Sequence, residues 1–321
     1  MVLRPMRLKP SYKEYLWGGT RLRKEYGKED APQTVAESWE LSCHPDGNCL
    51  IADGGFAGYT LADVIEMDRL AMMGSACGKE GFPILVKLID AQKDLSIQVH
   101  PSDDNAIADR GEHGKAEMWY IVDCEPKASL YYGFSERISE EELIRRAKNG
   151  TICDVLNRVP VSKGSVFYIL PGTIHAIGAG IVIAEIQQNS NTTFRVYDYD
   201  RCDAAGNKRE LHLDRAGKVM DYQPVLPEAC RVNSGACFPE YTMKKMFSCR
   251  YFSAYCFDIQ TSAHLQCDGT SFHHVLCVEG GAEIRAKGEA FKLRRGESYF
   301  LPAALGEYEI SGECRVLLSR V

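Results

Sequence analysis

Three short segments hold residue types that could do chemistry together. In Leu95-Ser96-Ile97-Gln98-Val99-His100-Pro101, apolar and polar residues alternate. Alternate residues of a strand share a face, so Leu95, Ile97 and Val99 fall on one side and Ser96, Gln98 and His100 on the other. An ordered Ser/Gln/His face suits the polar interior of a barrel; the solvent side of an edge strand gives the same pattern. In the run from Gly114 to Val122, Lys115, Glu117 and Trp119 share one face at the start of a strand. A carboxylate there is costly to bury unless it is paired or binds a metal, whereas just outside the strand it would sit in water. In the run from Leu170 to Gly178, a Pro171-Gly172 turn delivers His175 to the start of a new segment. A lone histidine is more often structural than a ligand. Two imidazoles and a carboxylate from three strands are a ligand set for Zn2+ or another divalent first-row metal, with positions open for water or substrate.

The elements that must position these residues are mostly short strands bounded by Gly, Pro, Asn and Asp: Glu37 to Ser42, Ile84 to Ile89, Leu95 to His100, Met118 to Asp123, Ser165 to Leu170, Ile181 to Gln187 and Thr193 to Tyr197. Their number and brevity suggest a sandwich or jelly roll. Two helices are expected. Thr60 to Met73 has Leu61, Val64, Ile65 and Leu70 at helical spacing, and Ser139 to Lys148 opens on the Ser139/Glu142 capping box and stops at Asn149-Gly150. A stretch from Asp221 to Pro239, rich in proline and without periodicity, reads as a connection between domains. Beyond it the chain is again strand-rich: Tyr251 to Ile259, His273 to Glu279, Ala282 to Ala286, Ser298 to Leu301 and Arg315 to Leu318. A faint echo joins the two parts. Gly164 feeds a strand that ends at Pro171, and Gly296 feeds one that ends at Pro302, as two copies of one β-fold would.

Composition narrows the function. With 321 residues, 45% apolar and 26% charged, the chain is globular and long enough for two domains. Its 38 basic and 44 acidic residues give a net charge of −6 with no basic block, which argues against nucleic acid. No apolar run approaches the roughly 18 residues needed to span a bilayer, and the first residues lack a secretory h-region. The 13 cysteines are scattered, with no zinc-ribbon or redox spacing. They read as reduced thiols of a cytoplasmic protein, in which the acceptor triplet at Asn191-Thr192-Thr193 has no meaning.

The combination resembles the cupin superfamily, and within it the type I mannose-6-phosphate isomerase family in its short bacterial form. The resemblance is carried, in order, by Trp17-Gly18-Gly19, Glu37-Ser38-Trp39-Glu40, Val86-Lys87-Leu88-Ile89-Asp90, Gln98-Val99-His100-Pro101, Lys115-Ala116-Glu117-Met118-Trp119-Tyr120, Pro171-Gly172-Thr173-Ile174-His175 and the run from Thr193 to Arg201. It implies a mainly β fold of two cupin-like jelly-roll β-barrels with a few short helices: a catalytic domain over 1–225 and a cupin-like domain over 240–321. It implies a zinc held by His100, Glu117 and His175, with Gln98 as fourth ligand in longer members. The family's catalytic arginine falls on Arg195, and its phosphate and sugar contacts fall on Lys87, Ser96 and Lys115. Lys87 interrupts the apolar run Phe82 to Ile89, where an ammonium needs an anion. A sugar phosphate would supply one, and so would a structural Asp or Glu.

The implied reaction interconverts mannose 6-phosphate and fructose 6-phosphate through an enediol. Lys115, a water held by the metal, and Asp198 are the candidates for its base. Two departures bear on this. There is no room for the long members' helical insertion, and the histidine that they carry before the ligand-segment lysine is here Gly114, which His113 does not replace. In the second domain, His273, His274 and Glu279 look like a metal pattern, but Ala303 to Glu307 supplies no further histidine, so a metal-free copy is expected. An Fe2+ cupin oxygenase and a non-catalytic sugar-binding cupin are the competing readings. Lys87, Lys115 and Arg195 argue against the first, because a neutral substrate needs no such cations.

Overall fold

The computed structural model describes residues 3–78, 81–110, 113–203, 205–226 and 235–321, so part of the stretch from Asp221 to Pro239 lies outside the described residues. By contacts the chain forms two compact units. One comprises Glu14–Gly19 and Ile89–Arg231; the other comprises Met1–Lys13, Thr20–Leu88 and Val232–Val321. The strand Ile84–Ala91 carries the chain from one to the other.

In the first of these units, eight strands matter: β1 (Ile97–Val99), β2 (Glu117–Cys124), β3 (Ser129–Phe134), β4 (Leu156–Pro160), β5 (Val166–Ile169), β6 (His175–Ile177), β7 (Ile181–Gln188) and β8 (Phe194–Tyr197). One sheet runs β4-β3-β6-β1-β8, and β5, β2 and β7 pair in that order in another. All of these pairings are antiparallel. The expected alternation holds along β1. Ile97 and Val99 enter a core with Ile174, Ala176, Phe194 and Val196, closed by Leu143 and Ala147 of helix α1 (Glu140–Asn149) and Ala216 of helix α2 (Leu213–Val219). The opposite face of the same strands is therefore left for Gln98, His175 and Arg195.

Helix α1 starts as its sequence demands, with Ser139 Oγ accepting from the Glu142 amide, and it ends at Gly150 in the left-handed region, φ 71°. Only half of the capping box forms, because the Glu142 carboxylate is taken by Arg145 and Arg146 instead. The single helix expected from Thr60 to Met73 is two, Leu61–Met67 and Arg69–Met73. Asp68 separates them, leaving helical geometry so that its carboxylate caps the amide of Ala71.

The other unit holds a ten-stranded sheet, and among its strands are Met6–Lys9, Tyr241–Ser248, Ser253–Ile259, His273–Ala286, Ser298–Leu301 and Gly306–Arg320. Its core is lined by Phe257, Val275, Ile284, Leu301, Ile310 and Val316, among others. The chain is thus mainly β, with cupin-like jelly rolls and short helices, as expected; the sheets stay open rather than closing into complete barrels.

Candidate metal centre and active site

The Pro171-Gly172 turn brings two of the three suspected ligands together. Gly172, in the left-handed region at φ 87°, donates its amide to the carbonyl of His100 at 2.9 Å. His175 then opens β6 opposite Gln98 of β1, and Gln98 lies opposite Arg195 of β8. Residues directly opposite share a face, so Tyr132, His175, Gln98 and Arg195 form one row across four strands. Glu117 is the first residue of β2. It is not in water but wholly buried, opposite Gln187 of β7.

The ligand atoms of His100, Glu117 and His175 all lie within 4.8 Å of one another, the one such His/Cys/Asp/Glu group among the described residues. Each imidazole is turned by its second nitrogen. His100 Nδ1 lies 3.0 Å from the Thr192 carbonyl and His175 Nδ1 2.9 Å from the Thr173 carbonyl, so both rings donate from Nδ1 and aim the Nε2 lone pair inward. Glu117 Oε1 lies 3.2 Å from His175 Nε2 and 3.5 Å from His100 Nε2. Neither carboxylate oxygen receives a well-formed hydrogen bond despite full burial.

Two ring lone pairs and a carboxylate converging in this way suit a divalent cation of the first transition row. Gln98 stands at the edge of the group, its Nε2 3.5 Å from His175 Nε2. When bound, the metal would be held by His100, Glu117 and His175, with Gln98 next to it.

Charge in this cluster is balanced by Lys115, buried with its Nζ 2.9 Å from Glu117 Oε2 and 3.0 Å from His100 Nε2. Burial pushes the Glu117 carboxyl up, but the Lys115 ammonium outweighs it and holds the carboxyl well below the ordinary carboxylate range. Burial first, and then the Lys115 ammonium, push His100 down to about 3, so its ring is neutral as a ligand must be. Trp119 packs edge-on against His175 at 5.3 Å and donates to Glu185 at 2.9 Å.

The remaining expected residues fall in different places. Ser96 is buried just ahead of β1. Arg195 is partly buried; it donates from Nη1 to the Glu210 carbonyl at 2.8 Å, while its Nε has no partner. Lys87 belongs to the other unit. There its ammonium lies 3.4 Å from Glu37 and 5.3 Å from the centre of the Trp39 ring. An acidic neighbour is thus already in place for this buried cation. Asp198 accepts a two-pronged bond from Arg209, 2.8 Å from its Nε, and a further one from Arg201. Burial raises the Asp198 carboxyl, the two guanidinium groups more than reverse this, and the result is a weak base. His113 is exposed.

Three contributors were not anticipated. Gln187, buried opposite Glu117, clamps the following turn by donating to the carbonyls of Gln188 and Ser190. Its spacing from Glu185 in an apolar run was the available signal. The carbonyls of Thr173 and Thr192 have no such signal, since any residue type supplies one.

In the other unit, His273 Nδ1 pairs with the Tyr308 hydroxyl at 2.7 Å, and Glu279 binds Arg315 at 3.0 Å. Among the described residues no helix is long and apolar enough to cross a membrane.

A family model described as phosphomannose isomerase type I, catalytic domain, matches residues 6–129, and one described as mannose-6-phosphate isomerase, cupin domain, matches residues 242–321. The chain is 36% identical over 322 residues to the mannose-6-phosphate isomerase ManA of Bacillus subtilis (strain 168), covering 100% of each. It is 33% identical to a mannose-6-phosphate isomerase of Streptococcus mutans serotype c, over 98% of each. The crystal structure of a mannose 6-phosphate isomerase from Bacillus subtilis superposes with a TM-score of 0.88 at 35% identity, over 99% of both chains. A phosphomannose isomerase variant from Salmonella typhimurium, at 19% identity and a TM-score of 0.78, shares the fold. Full-length likeness of this kind decides against the oxygenase and the sugar-binding readings: the chain belongs to the type I mannose-6-phosphate isomerase family and is an isomerase.

Proposed function

We propose that the chain interconverts mannose 6-phosphate and fructose 6-phosphate through an enediol, with one Zn2+ held by His100, Glu117 and His175 and with Gln98 as a fourth ligand. The observation that carries this reading is the convergence of two inward-turned imidazoles and a buried, ionised carboxylate on Glu117. A bound divalent ion supplies Lewis-acid polarisation of the sugar's carbonyl oxygen.

The chain's own residues do the rest. One proton moves between C1 and C2, and negative charge develops on oxygen as it leaves. Arg195 shares the row of Gln98 and His175 and is permanently charged, so it stabilises that oxygen. Lys115, already at the carboxylate, holds or passes the proton; Asp198, tied to two guanidinium groups, does not. Ser96 and Lys115 orient the phosphosugar, and orientation alone lowers the barrier by removing translational freedom. Lys87 keeps its assignment to the phosphate on the sequence resemblance alone.

Residues 1–225 then form the catalytic domain and 240–321 a metal-free cupin-like domain. The chain works in the cytoplasm, which the twelve free cysteines among the described residues support.

Coupled turnover of mannose 6-phosphate to fructose 6-phosphate, measured before chelation, after it, and after Zn2+ is restored, tests the reading. Activity should be lost and then regained. Stoichiometric metal without turnover would point to another phosphosugar and defeat the assignment.

A further inference from the structure

Arg195 sits in β8, the last strand of its sheet, so one side of its backbone has no neighbouring strand. An unpaired main-chain amide at such an edge must find another acceptor. Here the chain returns through Arg209 to His212 and supplies one. The Arg195 amide donates to His212 Nδ1 at 3.0 Å, and the His212 amide donates to the Arg195 carbonyl at 2.7 Å. Both polar groups of the Arg195 backbone thus face His212 rather than Gln98, although Gln98 is the residue opposite. The same return segment accepts from the guanidinium, through the Glu210 carbonyl at 2.8 Å, and it is fastened to β8 by the fork between Arg209 and Asp198.

His212 also stands at the N-cap position of α2, where a side chain ordinarily bonds the helix's own free amides. Its ring does not cap, and is turned back to the strand. For Nδ1 to accept, the proton of the neutral ring must be on Nε2, which lies 3.7 Å from the Glu210 carboxylate.

We infer that His212 is a positioning residue for Arg195: its Nδ1 accepts the Arg195 main-chain N–H and fixes the strand edge from which the guanidinium reaches the substrate, a role that rests on the one proposed above for Arg195. It does not touch substrate or metal.

Two variants separate acceptor from ring. His212→Asn keeps an acceptor oxygen near the place of Nδ1 and loses the ring; His212→Phe keeps a ring against Phe194, now 6.4 Å away, and loses the acceptor. For each, kcat and KM with mannose 6-phosphate, metal content and Tm would be measured, together with Arg195→Lys and the double variant Arg195→Lys with His212→Phe. His212→Phe should lower kcat by about tenfold to hundredfold, the scale set by a small misplacement of a catalytic group, at unchanged metal content. His212→Asn should recover most of that loss, and the double variant should be no slower than Arg195→Lys alone within about twofold, because residues acting through one group are not additive.

Equal losses in both His212 variants, a normal kcat in His212→Phe, or additive losses in the double variant would each overturn the inference while leaving Arg195 in the mechanism. A normal kcat in Arg195→Lys would overturn the role of Arg195 itself, and the inference with it. If His212→Phe does not fold, the comparison of His212→Asn with His212→Gln, whose longer side chain carries its oxygen past the Nδ1 position, decides instead: only the asparagine should retain kcat.

Discussion

Each of the two units carries a pair of histidines and a glutamate on or beside strands, and the two sets meet opposite fates. His100, Glu117 and His175 come from three separate places in the chain and converge within 4.8 Å. His273 and His274 are neighbours on one strand, so their rings point to opposite faces. His273 is tied to Tyr308, and Glu279 to Arg315. Neither ring nitrogen of His274 makes a well-formed hydrogen bond, although the backbone of Glu40 partly offsets the effect of burial. Basicity does not separate the sets, for burial lowers His100 and His274 alike, each to about 3. What separates them is the second ring nitrogen. A backbone carbonyl at Nδ1 leaves Nε2 free to face a carboxylate, and that arrangement calls for a cation.

The strongest way to break this contrast is to remove one ligand from each set. His100→Ala and His175→Ala should each bring metal content and turnover down together to background, whereas His273→Ala should leave bound metal unchanged. Elemental analysis of the purified variants checks this, and full occupancy in either of the first two would undo the ligand assignment. Next in size, Arg195→Ala should retain its metal and lose about 10²–10³-fold in kcat, as removal of one oxyanion donor does. A normal turnover number would take Arg195 out of the chemistry.

Lys87→Ala is expected to raise KM for the phosphosugar about tenfold or more, the value of one hydrogen bond to a charged group. If KM holds and only Tm falls, the ion pair with Glu37 is the whole of its function. The smallest effect belongs to His274→Leu. An apolar side chain of similar size removes two poorly satisfied buried nitrogens, so stability should rise by about 1 kcal/mol in denaturant titration, with turnover untouched. A loss of stability would mean that His274 is held by a bond the contrast leaves out.

Much of the site was legible because its signals are local. The Ser96/Gln98/His100 alternation, the carboxylate entering an apolar run at Glu117 and the Pro-Gly turn before His175 are all features of consecutive residues, and the structure brings His100, Glu117 and His175 within 4.8 Å of one another. The helix from Thr60 to Met73 was half legible. Periodicity marked its apolar face, but Asp68 chose to cap rather than continue, a competition the spacing does not reveal. What could not be read was whatever depends on distant chain. The Glu37 carboxylate beside Lys87, the Thr192 carbonyl behind His100 and the return of His212 to Arg195 join residues 50, 92 and 17 positions apart. The compact units themselves unite Thr20–Leu88 with Val232–Val321, a closure that no compositional break records.

The contact between Lys115 and Glu117 also bears on how such a protein is assembled. A buried carboxylate without a counter-charge would strain the folded state, and in small metal-dependent domains the ion must arrive before the chain can fold. Here the chain brings its own counter-ion, 2.9 Å from the oxygen that needs it. The burial of Glu117 is therefore offset by a charge only two residues away in the same chain, so neither partner of this pair can be removed alone without stranding the other.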